Sequence, residues 1–414
     1  MDKITNSTPP EQQRRFKMPP PPPKLSQLPD SLPLDHLKQT KRSSTSIQQM
    51  VKQAYDANAS DIHIRVGHIP RIRIRGKMVE APEQPETTPG IFEHYLSEIL
   101  TPKQRQQFEE TKEMDTAIFY PGFVRCRVNC FDSLTGGAMV LRLITLDIPS
   151  IDELRLPQVF KKIIEHPQGL ILVTGPTGSG KSTTMAAMIR HLNENASKHI
   201  VTIEDPIEYV HPSLKCLVSQ REVGLHTLQF HNALRAVLRE DPDVILIGEM
   251  RDPITVNTAL QAAQTGHLVL GTLHTRNAIN SINRLLNLFK VEEQPAVRIQ
   301  VCDSLVAVIA QLLVPTVDNR RIAVHDILVN TPAMQDYLLK GDEDSARRLM
   351  EEDTFEGMQV INDALYNLML EGRITMEEAE KASPDAADLD RRFRTGGLDA
   401  SGATRHFKKA SLYQ

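Results

Sequence analysis

The stretch Gly175-Pro-Thr-Gly-Ser-Gly180-Lys181-Ser182 decides the fold. Its two outer glycines, followed at once by Lys and Ser, have the spacing of a loop that wraps a chain of phosphates. An apolar run, Leu170–Thr174, precedes it, and the helix-forming Ser182–Leu192 follows. Glycines let the backbone curl until its N–H groups point at phosphate oxygens. The next helix turns its positive end toward the same anion. On this reading Gly175, Pro176, Thr177, Gly178, Ser179, Gly180, Lys181, Ser182 and Thr183 bind ATP. Lys181 reaches the β- and γ-phosphates, and Ser182 ligates Mg²⁺.

Working outward, Ile200–Ile203, Val244–Ile247 and Leu268–Leu273 are further short apolar runs separated mostly by helical stretches. Strands apolar on both faces, with helical crossovers, indicate a buried and mostly parallel sheet, so the class is α/β. Ligands bind at the carboxyl edge of such a sheet. Glu249 follows Val244–Ile247 at that edge and is placed to polarise the attacking water. Glu204 and Asp205 end Ile200–Ile203 at the same edge, placed for Mg²⁺ or water contact; capping of the loop is their alternative role. His267 and His274 bracket Leu268–Leu273. Seven residues apart on a strand, they face opposite sides and make a poor metal pair. Each is either a sensor of the γ-phosphate or a neighbouring subunit, or a structural histidine.

The 48 Lys and Arg against 52 Asp and Glu give a net charge of -4, which opposes a protein held mainly on nucleic-acid phosphates. Val306–Val314, among the longest apolar stretches, falls far short of the roughly 18 residues that span a bilayer. Membrane contact is therefore expected to be peripheral, and secretion is not expected. The four cysteines, Cys126, Cys130, Cys216 and Cys302, form no CxxC pair, so they read as reduced cytoplasmic thiols.

Five domains or segments are expected. Residues 1–45 hold nine of the 27 prolines and read as a disordered arm. Residues 46–150 mix helices with short strands, an α+β unit. Within it Ser46–Ala57 and Thr88–Glu110 read as helices, Phe123–Asn129 and Met139–Ile144 as a strand pair, and Arg71, Arg73 and Arg75 as one basic strand face. Residues 151–330 form the nucleotide-binding core, 331–390 a helical region, and 391–414 a poorly ordered tail. Arg125, Arg127 and Arg142 lie on the strand pair of the first unit. Spacing alone does not say whether one of them neutralises charge on the γ-phosphate.

The run Val173–Thr184 resembles the phosphate loop of the type IV pilus and type II secretion ATPases. Thr202-Ile-Glu-Asp-Pro-Ile-Glu-Tyr209, Leu238–Asp252 and Thr265–Thr275 resemble, in order, that family's Asp box, Walker B and His box. Ala59-Ser-Asp-Ile-His63 and Arg125-Cys-Arg-Val-Asn129 resemble its N-terminal domain. The likeness covers about residues 46 to 390 and is nearest the PilT/PilU branch, which powers pilus retraction. It implies a RecA-like P-loop domain, a smaller PAS-like N-terminal domain and a homohexamer whose N-terminal domains pack on neighbouring cores. It implies Glu249 and Glu204 as catalytic, Arg127 and Arg142 as nucleotide-sensing arginines, with Arg125 a weaker match, and His267 and His274 as His-box residues. It further implies a cytoplasmic protein at the inner membrane, turning the pilus platform protein there; a nucleic-acid partner is not expected, on the charge already given.

Two departures mark this chain. PilT-type members carry Ala-Ile-Arg-Asn-Leu-Ile-Arg-Glu near the C-terminus, where this sequence has Ala333-Met-Gln-Asp-Tyr-Leu-Leu-Lys340 with neither arginine. The region Asn330–Arg392 is closer to the PilU type, often an accessory beside a paralogous retraction ATPase. Three other functions stay open: an assembly or secretion ATPase, opposed by the missing four-cysteine motif; a RecA-like nucleic-acid motor, opposed by the charge; and a ring that binds nucleotide without turnover, opposed by complete motifs.

Overall fold

Ser46 starts the fold by capping a helix: its hydroxyl accepts from the Gln49 amide while the Gln49 side chain returns to the Ser46 N–H. The computed structural model describes residues 46–353 and 356–394. The proline-rich 1–45 and the tail beyond 394 lie outside the described residues.

The helix α1 (Ile47–Asp56) leads into β1 (Ala59–Arg65), β2 (Arg71–Ile74) and β3 (Lys77–Glu80). Then come α2 (Pro89–Ile99), α3 (Pro102–Thr111), β4 (Glu113–Tyr120), β5 (Val124–Ser133) and β6 (Gly136–Thr145). The six strands form one antiparallel sheet in the order β3-β2-β1-β6-β5-β4. The helix expected over Thr88–Glu110 is two helices. Pro102 cannot donate a helical hydrogen bond, so the chain breaks before it and Thr101 caps the second helix.

The core follows as α4 (Val159–Ile164), β7 (Gly169–Thr174), α5 (Lys181–Asn195), β8 (His199–Glu204) and β9 (Leu217–Glu222). It continues with α6 (Phe230–Val237), β10 (Val244–Ile247), α7 (Pro253–Gln264), β11 (Leu268–Leu273), α8 (Ala278–Leu286) and α9 (Gln294–Ser304). A hairpin of β12 (Leu305–Pro315) and β13 (Arg321–Val329) closes it. The sheet order is β13-β12-β7-β11-β10-β8-β9, parallel throughout except for the β12–β13 pair. Every residue of β7, β10 and β11 is buried. Alternation sends Leu170 and Leu172 into one apolar layer, with Val256 of α7 and Val301 of α9, and Ile171 and Val173 into the other, with Phe160 of α4 and Ile189 of α5. A sheet covered on both faces leaves its edges as the place for ligands.

From Pro332 the described chain is helical: α10 (Pro332–Lys340), α11 (Glu343–Glu352), α12 (Ile361–Leu370), α13 (Met376–Ala382) and α14 (Ala386–Arg394). Thr375 caps α13 by accepting from the Glu378 amide. α14 carries helix past residue 390, where the sequence suggests the tail begins. Arg392, buried, holds it there through Asp363, Asp388 and Glu351. Among the described residues no helix is long and apolar enough to cross a membrane. The class is thus α/β, with a smaller α+β unit before the core and a helical region after it.

Candidate nucleotide site

β7 delivers the chain to the carboxyl edge of the sheet, and residues 175–180 curl there before α5. Gly175, Gly178 and Gly180 take φ of 147°, 79° and 87°, which side chains rarely adopt. At Gly175 a Cβ would also stand 2.3 Å from the Gln311 carbonyl oxygen and 2.5 Å from Ser179 Oγ. Only glycine fits. No side chain caps α5, and its first turn has no acidic residue. Its leading amides and positive end therefore remain for an anion. Lys181 Nζ donates to the carbonyls of Gly175 (2.8 Å) and Pro176 (3.2 Å), lying along the loop it is to serve. Burial lowers its pKa from the ordinary value, while Glu249 and Glu208 pull it up. Thr183, one turn into α5, shares a 2.8 Å hydroxyl contact with Tyr209.

A cavity of about 450 Å³ opens over this loop, lined by Lys181, Ser182, Glu204, Asp205, Glu249 and His274 among others. These residues come from the carboxyl ends of β7, β8, β10 and β11. Neighbouring parallel strands bring them together, although they are far apart in sequence. Glu249 Oε2 accepts from Arg251 at 2.6 Å, and Oε1 lies 3.1 Å from His274 Nε2. The Arg251 hydrogen bond, aided by His274, holds the Glu249 carboxyl below the usual range, so it is ionised at neutral pH. Glu204 has the opposite environment. Burial raises its pKa, although Thr202 Oγ1 (2.7 Å) and Gln220 Nε2 (3.2 Å) both donate to it.

A second hollow of about 850 Å³ adjoins the first and shares Gly180, Thr183, Leu313 and Arg321 with it. Arg155, Arg320 and Arg373 line it as well. The sequence does not point to this hollow, because its arginines share no motif.

The donor set fits Mg²⁺. A serine hydroxyl and several carboxylates converge, and hard oxygen donors suit this ion. Among the described residues no cluster of three or more His, Cys, Asp or Glu is placed to hold a metal alone. Ser182, helped by Glu204 or Asp205, would therefore hold the ion together with phosphate oxygens and water.

Not every sequence-derived candidate reaches this cavity. His267 precedes β11, at the opposite edge of the sheet, and its Nδ1 lies 3.0 Å from the Ala262 carbonyl. A six-residue strand is about 20 Å long, so within one chain His267 does not bind the nucleotide held by the loop. Arg127 and Arg142 are exposed cross-strand partners outside the cavity, and Arg142 Nε donates to Asp61 at 2.9 Å. Arg125 is buried. It donates to the Ile207 carbonyl at 3.1 Å and pairs with Glu222, tying β5 to the β8–β9 segment of its own chain. It is not a free nucleotide-sensing cation. Sequence reasoning misses Gln311, the lone amide in the apolar run of β12, and Tyr209, which stands inside the quoted Asp-box motif. The interruption of an apolar strand by one amide is the signal that marks Gln311.

Comparisons with known proteins show the family. The sequence profile of the family described as "Type II/IV secretion system protein" matches residues 37–403. The type IV pilus retraction ATPase PilT of Pseudomonas aeruginosa is 43% identical over 337 residues, covering 81% of this chain and 98% of that protein. The type IV pilus ATPase PilU of the same species is 39% identical over 350 residues, covering 84% of this chain and 91% of that protein. A crystal structure of the pilus retraction motor PilT with bound ADP superposes with a TM-score of 0.78 at 42% identity, over 84% of this chain and all of the other. With a family profile matched over most of its length and relatives of about 40% identity covered almost completely, the chain belongs to the PilT/PilU family of type II/IV secretion system proteins.

Proposed function

We propose that this protein is a motor ATPase that couples hydrolysis of Mg·ATP to retraction of a type IV pilus. The observation that carries the chemistry is the ionised Glu249, fixed through both oxygens and sharing a cavity with Lys181 and Ser182. The likeness to PilT and PilU carries the pilus assignment.

The loop amides and Lys181 hold the phosphates. Glu249 orients water and takes up its proton, while His274 and Arg251 keep the carboxylate from turning. Bound Mg²⁺ would supply charge neutralisation at the β- and γ-phosphates, and in this class catalysis is mostly positioning and charge stabilisation. The second hollow takes the base and ribose. Arg127 and Arg142 lie outside their own chain's cavity and are exposed, which suits them to act on a neighbour's nucleotide in a hexameric ring. Such a ring would work in the cytoplasm, bound peripherally to the inner membrane through the pilus platform protein.

A second reading, an accessory motor beside a paralogous retraction ATPase, is favoured by one observation. The segment Ala333–Lys340 lacks both arginines of the PilT-type motif, and the buried Met334 and Leu338 of α10 serve packing. Loss of the gene tests the main reading: surplus surface pili support retraction, and bald cells support assembly. Turnover and oligomeric mass of the purified chain separate the two retraction roles, since an accessory subunit would turn over slowly alone.

A further inference from the structure

Gln311 sits on β12, where the strand runs parallel to β7 with Ala310 opposite Thr174. This register sets Gln311 beside the phosphate loop. Its side chain is 1% exposed, and its amide bonds to the loop and to the start of α5. Nε2 donates to the Ser179 carbonyl at 2.6 Å. Oε1 accepts from Thr184 Oγ1 at 2.7 Å, and His325 Nε2 lies 3.2 Å away. His325 is the cross-strand partner of Gln311 on β13, fully buried, with its ring edge-on to Phe160. Burial pushes its pKa down to about 3, so the imidazole is neutral. With Oε1 already the acceptor for Thr184, the single imidazole proton belongs on Nε2, and Nδ1 has no partner. Two donors on Oε1 fix which end of the amide faces the loop.

The backbone of Gln311 constrains the loop as well. Its carbonyl oxygen lies 2.3 Å from where a Cβ on Gly175 would be, and its side-chain Nε2 lies 2.8 Å from where a Cβ on Gly180 would be. One residue therefore touches both ends of the phosphate loop, its middle at Ser179 and the first turn of α5 at Thr184.

We infer that Gln311 is a positioning residue that holds the 175–180 backbone in its anion-binding curl, its amide oriented by His325. The inference rests on the reading of that loop as the phosphate site. A buried amide that shapes the loop acts equally on bound ground and transition states, so its loss should raise KM more than it lowers kcat.

The test is Gln311→Leu, which keeps volume and removes the amide, with Mg·ADP affinity measured by fluorescence titration. The dissociation constant should rise about tenfold, equivalent to about 1.4 kcal/mol. At saturating ATP, kcat should fall less than threefold. A folded Gln311→Leu protein, checked by circular dichroism, whose affinity changes less than threefold would overturn the inference. If that variant does not fold, Thr184→Val decides by the same threefold threshold, since it removes one donor to the amide and keeps the shape. Lys181→Ala separates the two levels. Unchanged affinity in Lys181→Ala sinks the phosphate-loop reading itself. Lost affinity there, beside unchanged affinity in Gln311→Leu, sinks only the role of Gln311.

Discussion

Arg251 Nη2 lies 2.6 Å from Glu249 Oε2, while His274 Nε2 lies 3.1 Å from the other carboxylate oxygen, Oε1. The carboxylate is thereby both charged and fixed in direction. A Glu249→Gln variant keeps the side chain's shape and removes the base. Nucleotide affinity should hold within a few-fold while turnover falls by about 10²- to 10⁴-fold, the usual contribution of a positioned base. Phosphate release at saturating ATP measures it, and wild-type turnover would remove Glu249 from the water-activating role.

The same contact sets a pH dependence. Arg251 is the leading cause that keeps the Glu249 pKa low, so activity should persist on the acid side until the carboxylate protonates. Arg251→Ala raises that pKa, and the acid limb of the kcat/KM profile should move to higher pH. An unmoved limb would mean that another group sets it.

Lys181→Ala removes the only side-chain cation of the phosphate loop itself. Charge-assisted hydrogen bonds are worth about 1.5–3 kcal/mol, so Mg·ADP should bind roughly 10- to 150-fold more weakly. Calorimetric titration reads this directly.

Arg125 and Arg127 are two residues apart yet should behave oppositely. Arg125→Ala leaves the buried Glu222 without its cationic partner, the Ile207 N–H still donating to it, and should cost about 3–5 kcal/mol of stability. Arg127 is exposed, and Arg127→Ala should unfold at nearly the wild-type temperature while losing turnover. Mixing Arg127→Ala with Lys181→Ala subunits should restore part of that turnover if the arginine serves a neighbour. No recovery at any ratio would speak against shared sites.

The C-terminal helix should loosen in acid. Burial opposes ionisation of Asp388, but hydrogen bonds from Asn362, Arg391 and Arg392 hold its pKa down to about 2. A depressed carboxylate pKa contributes stability above its unfolded value, near 3.8, which is lost as pH falls toward about 2. Protection of the α14 amides, measured relative to the intrinsic exchange rate at each pH, should therefore fall over that window, and Asp388→Asn should show the lower protection already at neutral pH.

Much of this was legible in residue order because the parallel core obeys local rules. β7, β8, β10 and β11 are apolar on both faces, and the loop after β7 has a fixed spacing that demands glycine. β9 is not legible: Leu217–Glu222 is a mixed polar edge strand with no alternation. β12 is apolar but takes its place by pairing parallel with β7, far away in sequence, so the residue it sets against the loop, Gln311, is visible only as one amide in an apolar run. His267 and His274 have like surroundings in sequence, yet strand direction puts one in the cavity and the other at the far edge. The three arginines of β5 and β6 share one face of the sheet, Arg125 and Arg127 two apart on β5 and Arg142 across from Arg127, and differ by what lies over that face, which their spacing does not encode.

The tie from Arg125 to the Ile207 carbonyl has a mechanical meaning. Ile207 lies two residues beyond Asp205, a lining residue of the nucleotide cavity, while Arg125 is rooted in β5 of the antiparallel sheet, paired on both sides. A shift of that lining segment during a catalytic cycle would pull on the sheet through a short, desolvated link with no slack in it. The first unit would then swing as a lever driven from inside its own subunit, carrying the exposed Arg127 and Arg142 with it.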